Sequence, residues 1–359
     1  MKILFYIGTI TSTGGAERVL TNLANEFSKI KNYEVLFAEN FYSDKGYPIN
    51  KNILRFSFEK IESKKNFLIK NLKRVYLLRK LVRHEQPNVL ITFMNENNCR
   101  AIVATLGLKT RVVISVRNDP NYECGRGLKG LISKLLYRFA DGIVFQTEDA
   151  KHWFPESIQK KSRIILNQVD KSFYNVEYEE TRKDIVTTGR FALQKNHKML
   201  IKAFAKIADS IEDNLIIFGD GDLREDYEQL ITSYNLQSRI LLPGAVNDVP
   251  SAIKSAKLFV MSSNYEGLPN SLMEAMALGI PCISTDCPCG GPKMLIQNGE
   301  NGLLTPVGNA DVLALNMKRV LLDKELAKKM GYNAAKTAKL FYPSVVFEEW
   351  EKYIEKIRL

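Results

Sequence analysis

Ile3-Leu4-Phe5-Tyr6-Ile7, then Thr11-Ser12-Thr13-Gly14-Gly15-Ala16-Glu17-Arg18, then Val19, Leu20, Leu23, Ala24 and Phe27 at helical spacing, is the stretch that decides the fold. A short, unbroken apolar run is a strand buried on both faces, as in a parallel sheet. The glycines make the turn, and residues 16–30 form the crossover helix. The unit recurs. Residues 33–38, Val89-Leu90-Ile91-Thr92-Phe93, Val112-Val113-Ile114-Ser115-Val116, Gly142-Ile143-Val144-Phe145 and Arg163-Ile164-Ile165-Leu166 are strands, with helical stretches between them. After a polar segment at 171–183 the alternation restarts with Asp184-Ile185-Val186-Thr187-Thr188. It continues through Leu215-Ile216-Ile217-Phe218, Ile240-Leu241-Leu242, Leu258-Phe259-Val260-Met261 and Pro281-Cys282-Ile283-Ser284. Strands alternating with helices give a parallel sheet with right-handed crossovers. The expectation is an α/β chain of two doubly wound domains, 1–170 and 184–342, joined by a linker at 171–183. Ligands of such sheets bind outside the carboxyl ends of the strands, so function is expected in a cleft between the two sets of loops.

Composition agrees with a globular protein. The 359 residues are 45% hydrophobic and 25% charged, with 12 Pro and 21 Gly, which excludes disordered, collagenous and coiled-coil chains. No apolar run reaches the roughly 18 residues of a bilayer span, and the opening apolar run is too short for a signal peptide; a cytoplasmic protein is expected. Five Cys spread over the chain suit reduced thiols better than a disulfide scaffold. The net charge of +11 is unevenly placed: residues 1–170 hold 28 Lys and Arg against 16 Asp and Glu, and the remainder 23 against 24. An anionic partner for the N-terminal half follows.

Several strand-to-helix turns suit phosphate. Gly14-Gly15 brings backbone and a helix N-terminus to a ligand, although the spacing is not that of a dinucleotide fingerprint and a plain turn is the alternative. Arg190 and Lys195, in Gly189-Arg190-Phe191-Ala192-Leu193-Gln194-Lys195-Asn196-His197, have the chemistry to grip a diphosphate or are solvated surface cations. Gly219-Asp220-Gly221 is either a third such turn or a plain one. In Asn264-Tyr265-Glu266-Gly267-Leu268-Pro269-Asn270-Ser271-Leu272-Met273-Glu274, Ser271 and Glu274 read as a capping box that starts a helix at Ser271 and ends near Gly279. Glu266 has no such structural reading; before a helix N-terminus, its carboxylate suits sugar hydroxyls. Cys287 and Cys289 lack a second Cys or His pair with zinc spacing, and the three His are scattered, so no metal site is expected.

Taken together, Gly14-Gly15, Arg190 with Lys195, Gly219-Asp220-Gly221, and Glu266 eight residues before Glu274 resemble the retaining glycosyltransferases of family 4, over nearly the whole chain. The opening Thr13-Gly14-Gly15-Ala16-Glu17-Arg18 resembles bacterial transferases of capsule, O-antigen and lipid-linked glycan assembly. The resemblance implies the GT-B fold, with an N-terminal acceptor domain, a C-terminal nucleotide-sugar domain, and a final helix, 343–359, returning to the first domain. It further implies that Arg190 and Lys195 hold the donor diphosphate and Glu274 the ribose. Glu266, Gly267, Leu268, Pro269 and Asn270 would meet the donor sugar and phosphate. Gly219 and the 242–246 segment with Gly244 and Val246 would complete the donor site, and Gly14 and Gly15 would admit the acceptor. A uridine-linked hexose or N-acetylhexosamine would pass to a polyprenyl-diphosphate-linked glycan by front-face displacement without a metal or other cofactor. Many relatives carry a His where this chain reads Ser115-Val116-Arg117-Asn118-Asp119-Pro120; Arg117 is expected to substitute, a plain loop being the alternative. Two other functions stand beside this one, a GT-B nucleotide-sugar epimerase and a catalytically silent sugar-nucleotide-binding subunit.

Residues 60–83 hold nine Lys and Arg and one acid, Glu62. At about 100° per residue Lys70, Lys73, Arg74 and Lys80 share one sector of a helix, opposite Phe67, Leu68, Leu72, Val75, Leu78 and Val82. Leu77 and Leu81 fall among the cations, the pattern of a helix lying on an anionic leaflet, so a peripheral position on the inner membrane face is expected. A solvated basic face is the alternative, and no nucleic-acid motif accompanies the cations.

Overall fold

The computed structural model describes residues 1–10, 14–43, 46–59, 66–174 and 182–358. Two compact units emerge: residues 1–167 with 346–359, and residues 168–345. Of the polar segment at 171–183, the described residues 171–174 and 182–183 belong to the second unit, and Phe173 is buried there; residues 175–181 lie outside the described ones.

Unit one holds seven strands, β1 (Lys2–Ile7), β2 (Glu34–Phe41), β3 (Leu54–Glu59), β4 (Val89–Phe93), β5 (Arg111–Ser115), β6 (Gly142–Phe145) and β7 (Ser162–Ile164). All pair in parallel in the order β3-β2-β1-β4-β5-β6-β7. Unit two holds six more, β8 (Lys183–Thr188), β9 (Leu215–Phe218), β10 (Ile240–Gly244), β11 (Ala256–Met261), β12 (Cys282–Thr285) and β13 (Leu303–Thr305). They too are parallel, ordered β10-β9-β8-β11-β12-β13. Each sheet reverses direction beside its first strand, at β1/β4 and at β8/β11, which is where open α/β sheets leave a crevice. Helical periodicity and apolar runs do not mark β3 or β13. As an edge strand β3 mixes exposed and partly covered residues, Leu54 lying outward, and β13 is only three residues long.

The C-terminal helix, Pro343–Arg358, buries Val346, Trp350, Tyr353 and Ile354 in the core of unit one. Phe347 meets Phe27 edge-on at 4.7 Å, and the Tyr353 hydroxyl accepts from Ile143 N (2.8 Å) and donates to Lys161 O (2.6 Å). All five cysteines are free. No helix among the described residues is long and apolar enough to cross a membrane.

The helix Phe67–Glu85 corrects the expected helical wheel. Asn66 caps it, and its inward face is Leu78, Leu81, Val82 and, unexpectedly, Arg74. Arg74 is covered because it pairs with the buried Glu59 of β3 at 3.3 Å, a carboxylate that Lys73 reaches from the half-exposed side at the same distance. The pairing turns the helix, so Leu68 and Leu72 point outward with Ile69, Tyr76, Lys73 and Lys80, while Leu81 is withdrawn. Cations and apolar side chains therefore share one exposed face, and Arg74 is not on it.

Candidate functional site

In unit two the loops leaving the adjacent strands β8 and β11 are zipped together. Asn264 N donates to Gln194 O (2.7 Å), Asn264 Nδ2 to Leu193 O (2.7 Å), and Ser262 Oγ to the carbonyls of Lys195 and Asn196. This brings Lys195 and Glu266, 71 positions apart, into an ion pair of 2.6 Å. Glu266 is buried; its Oε1 also accepts from Ser263 Oγ (2.7 Å) and its Oε2 from Gln194 Nε2 (3.3 Å). The backbone of Glu266 is held by the loop after β12, its N–H donating to Pro288 O (2.6 Å) and its carbonyl accepting from Cys289 N (2.8 Å). Ser263 and Gln194 carry no motif signal; only the strand order reveals them. Cys287 and Cys289 are buried supports of this loop, and burial first, then the Glu266 charge, pushes the Cys287 thiol up to about 12. Among the described residues no group of three or more His, Cys, Asp or Glu is placed to hold a metal ion.

The helix that follows spans Asn270–Ala277 and begins after Pro269, without a side-chain cap. The expected capping box is therefore absent: Ser271 lies inside the first turn, where its hydroxyl cannot act as the cap. Glu274 is thus a buried carboxylate one turn into the helix rather than a capping acid. Leu268 is buried, and Gly267 O lies where a Cβ on Gly291 would be, 1.7 Å away, so Gly291 is required by backbone packing.

Arg190 is exposed on the loop that carries Lys195. The Gly219-Asp220-Gly221 turn is closely packed against the 189–191 backbone. Gly219, at φ +150°, would place a Cβ 2.0 Å from Gly189 O, and Gly221 one 2.7 Å from Phe191 O, while Phe191 N donates to Asp220 O at 2.9 Å. Gly219→Ala should therefore lower unfolding free energy by at least about 2 kcal/mol and displace the Arg190 loop. Gly299→Ala, also at positive φ (+85°) but with nothing within 4 Å of its Cβ position, separates backbone strain from the clash; equal denaturant midpoints for the two variants would remove the packing role. Gly244, at φ +94°, ends β10, its carbonyl accepting from Gly219 N (2.9 Å), and Val246 follows half-buried.

In unit one, Gly14 precedes the helix Gly15–Phe27, and the Glu17 carboxylate folds back to within 1.8 Å of where a Gly14 Cβ would sit; residues 11–13 lie outside the described ones. Arg117 is not an open cation. Its guanidinium lies 4.3 Å over the Phe93 ring, bonds Asn167 Oδ1, and approaches Ser115 Oγ at 3.4 Å; burial brings its pKa down to about 9. Glu123, raised to about 7 by burial, accepts from the backbone N–H of Arg117 and Asn118 at 2.7 Å each. A side chain so committed positions the 117–119 loop.

Comparison with known proteins bears on the family and the fold. Residues 169–337 match the family Glycosyl transferases group 1. The chain is 30% identical over 366 residues, covering 100% of itself and 99% of the relative, to the GalNAc-alpha-(1->4)-GalNAc-alpha-(1->3)-diNAcBac-PP-undecaprenol alpha-1,4-N-acetyl-D-galactosaminyltransferase of Campylobacter jejuni. A second enzyme of that organism, N-acetylgalactosamine-N,N'-diacetylbacillosaminyl-diphospho-undecaprenol 4-alpha-N-acetylgalactosaminyltransferase, is 29% identical over 98% of this chain and 99% of its own. Among solved structures, Anabaena Alr3699/HepE in complex with UDP superposes with a TM-score of 0.81 at 18% identity, covering 99% of this chain and 100% of that one. The lipopolysaccharide outer core galactosyltransferase WaaB gives 0.76 at 22%, covering 99% of each. Two parallel nucleotide-fold sheets with this likeness define the GT-B class. The chain belongs to the group 1 glycosyl transferases and is a glycosyltransferase.

Proposed function

We propose that the enzyme moves a hexose or N-acetylhexosamine, with retention, from a uridine-diphosphate sugar to a hydroxyl of a polyprenyl-diphosphate-linked glycan. The observation that carries this reading is the Lys195–Glu266 pair at the carboxyl edge of β8 and β11, at the switch point of its sheet. Lys195 and the exposed Arg190 meet the diphosphate, whose charge grows as the bond to the sugar breaks. Stabilising that charge with fixed cations and helix-end N–H groups is the largest part of the catalysis. Glu266, held on one oxygen by Lys195 and Ser263, takes hydrogen bonds from the sugar hydroxyls beside the Gly267–Asn270 backbone. Buried Glu274 takes the ribose, and the Gly244–Val246 backbone meets the base. The acceptor hydroxyl attacks from the face the diphosphate leaves, and the Gly14-Gly15 turn of unit one has the open backbone to receive the acceptor. Arg117 acts at a remove, by fixing its loop.

The relatives' names support the donor and acceptor classes. The exposed face of the helix Phe67–Glu85, where Lys73 and Lys80 lie among Leu68, Leu72 and Tyr76, supports a peripheral position on the anionic inner membrane face. Incubation with UDP- and GDP-sugars and a lipid-diphosphate acceptor, read by mass spectrometry, tests the reading: transfer is expected from a uridine donor. Sugar inversion without transfer, or binding without turnover, would overturn it. With two cations supplied by the chain, transfer is expected to proceed undiminished in EDTA; a loss restored by a divalent ion would overturn the metal-free mechanism.

A further inference from the structure

The helix Leu128–Leu136 is inside out. Its inward side is made of small residues: a Cβ on Gly130 would stand 2.5 Å from Gly125 O and 3.1 Å from the Trp153 ring, and Ser133 Oγ donates to Asn95 Oδ1 at 3.0 Å. Its outward side is Leu128, Leu131, Ile132 and Leu135, of which Leu128 is 73% exposed. At about 100° per residue these four share one arc, the arc that a helix of a soluble surface fills with polar side chains. Phe139, just beyond, is 62% exposed.

Charge decides what covers this face. Residues 124–140 contain Arg126, Lys129, Lys134 and Arg138 and no Asp or Glu. Arg126, Lys129 and Arg138 are exposed, and Lys134 is drawn over the Trp153 ring at 3.7 Å. Leucines ringed by cations complement an anionic bilayer, where the apolar side chains enter the acyl boundary and the cations stay among the phosphates. A second copy of the same face would set cation against cation. The helix also shares a neighbour with the basic helix Phe67–Glu85. Both pack on the intervening helix Asn95–Thr105, through Arg100 Nε to Asn71 Oδ1 (2.7 Å) on one side and Ser133 to Asn95 on the other. Right-handed crossovers put all three helices on one side of the sheet.

We infer that Leu128–Leu136 is the apolar anchor of the enzyme, inserting Leu128, Leu131, Ile132 and Leu135 into an anionic membrane surface while the neighbouring basic helix supplies long-range attraction. This rests on the lipid-linked acceptor proposed above. The test is partition of the full chain onto phosphatidylglycerol/phosphatidylethanolamine vesicles, comparing the parent with a Leu131→Gln/Leu135→Gln variant; both positions face solvent, so the fold is retained. UDP affinity by calorimetry checks unit two in each protein. The variant should partition about a hundredfold more weakly with UDP affinity unchanged. The parent, but not the variant, should keep part of its binding in high salt, which screens the cations alone. Equal partition of the two proteins, or complete release of the parent by salt, overturns the inference. So does a parent dimer that the two substitutions dissociate without changing vesicle binding. If vesicle partition behaves as stated but the parent binds no UDP, the functional reading fails and the anchor stands.

Discussion

Replacing Glu266 by Gln should lower transfer by about 10²–10³-fold while the protein still folds. Glutamine keeps the shape of the side chain and one acceptor oxygen for Ser263 Oγ, gives up the second acceptor to which Gln194 Nε2 donates, and removes the charge that opposes Lys195 and is proposed to order the sugar hydroxyls. The choice of Gln over Ala follows from burial. Glu266 Oε1 lies 2.6 Å from Lys195 Nζ with its side chain 8% exposed. Truncation would leave a hole and a half-buried cation, and would confuse folding with function. Lys195 itself is 21% exposed, so water can take over part of its solvation. The lost pair is then worth about 1–2 kcal/mol, between a surface and a buried ion pair, or a fall in Tm of about 2–8 °C. Initial rates at saturating donor, alongside thermal melts, decide the matter. A parental rate would remove Glu266 from the chemistry. A melt far below the stated fall would make it a structural residue.

Lys195→Ala should weaken binding of both UDP and the UDP-sugar by about 10–100-fold, through two effects of the same sign. A charge-assisted contact to the diphosphate disappears, and the Glu266 carboxylate, left with only neutral donors from Ser263 and Gln194, now repels the incoming phosphates. Lys195→Arg should recover part of the affinity, because a cation is restored even if its reach differs. Calorimetric titration with UDP, which lacks the sugar, separates the diphosphate contact from any effect through Glu266 on the ring. Unchanged UDP affinity in Lys195→Ala would leave Lys195 as a counterion for Glu266 and nothing more.

Most strands were legible because a sheet covered on both faces demands short unbroken apolar runs, and 89–93, 142–145 and 215–218 match β4, β6 and β9 residue for residue. The edge strand β3 was not, since only part of an edge strand is covered and its pattern is mixed. Glu266 stood out in the sequence as a loop carboxylate with no local structural reading, and Lys195 as a loop cation equally readable as solvated; the structure pairs the two. Ser263 and Gln194 were not legible, because their roles exist only once β8 and β11 lie side by side. Arg117 and Arg74 mislead for a common reason. A cation in a sequence looks available, and whether a carboxylate such as Glu59 or an amide such as Asn167 has already taken it depends on how separate elements pack.

The order of apolar runs, glycine turns and helical stretches determined two parallel α/β units and the loops at the carboxyl ends of their strands, where ligands of such sheets bind, because strand burial and helix periodicity are written locally. Tertiary structure alone decided which loops touch, which glycines are packing and which face of each helix meets solvent. The helix Leu128–Leu136 shows why: its leucines would be core residues by composition, yet the small Gly130 and Ser133 fit against Trp153 and Asn95, and close packing on the inner side sends the larger side chains outward.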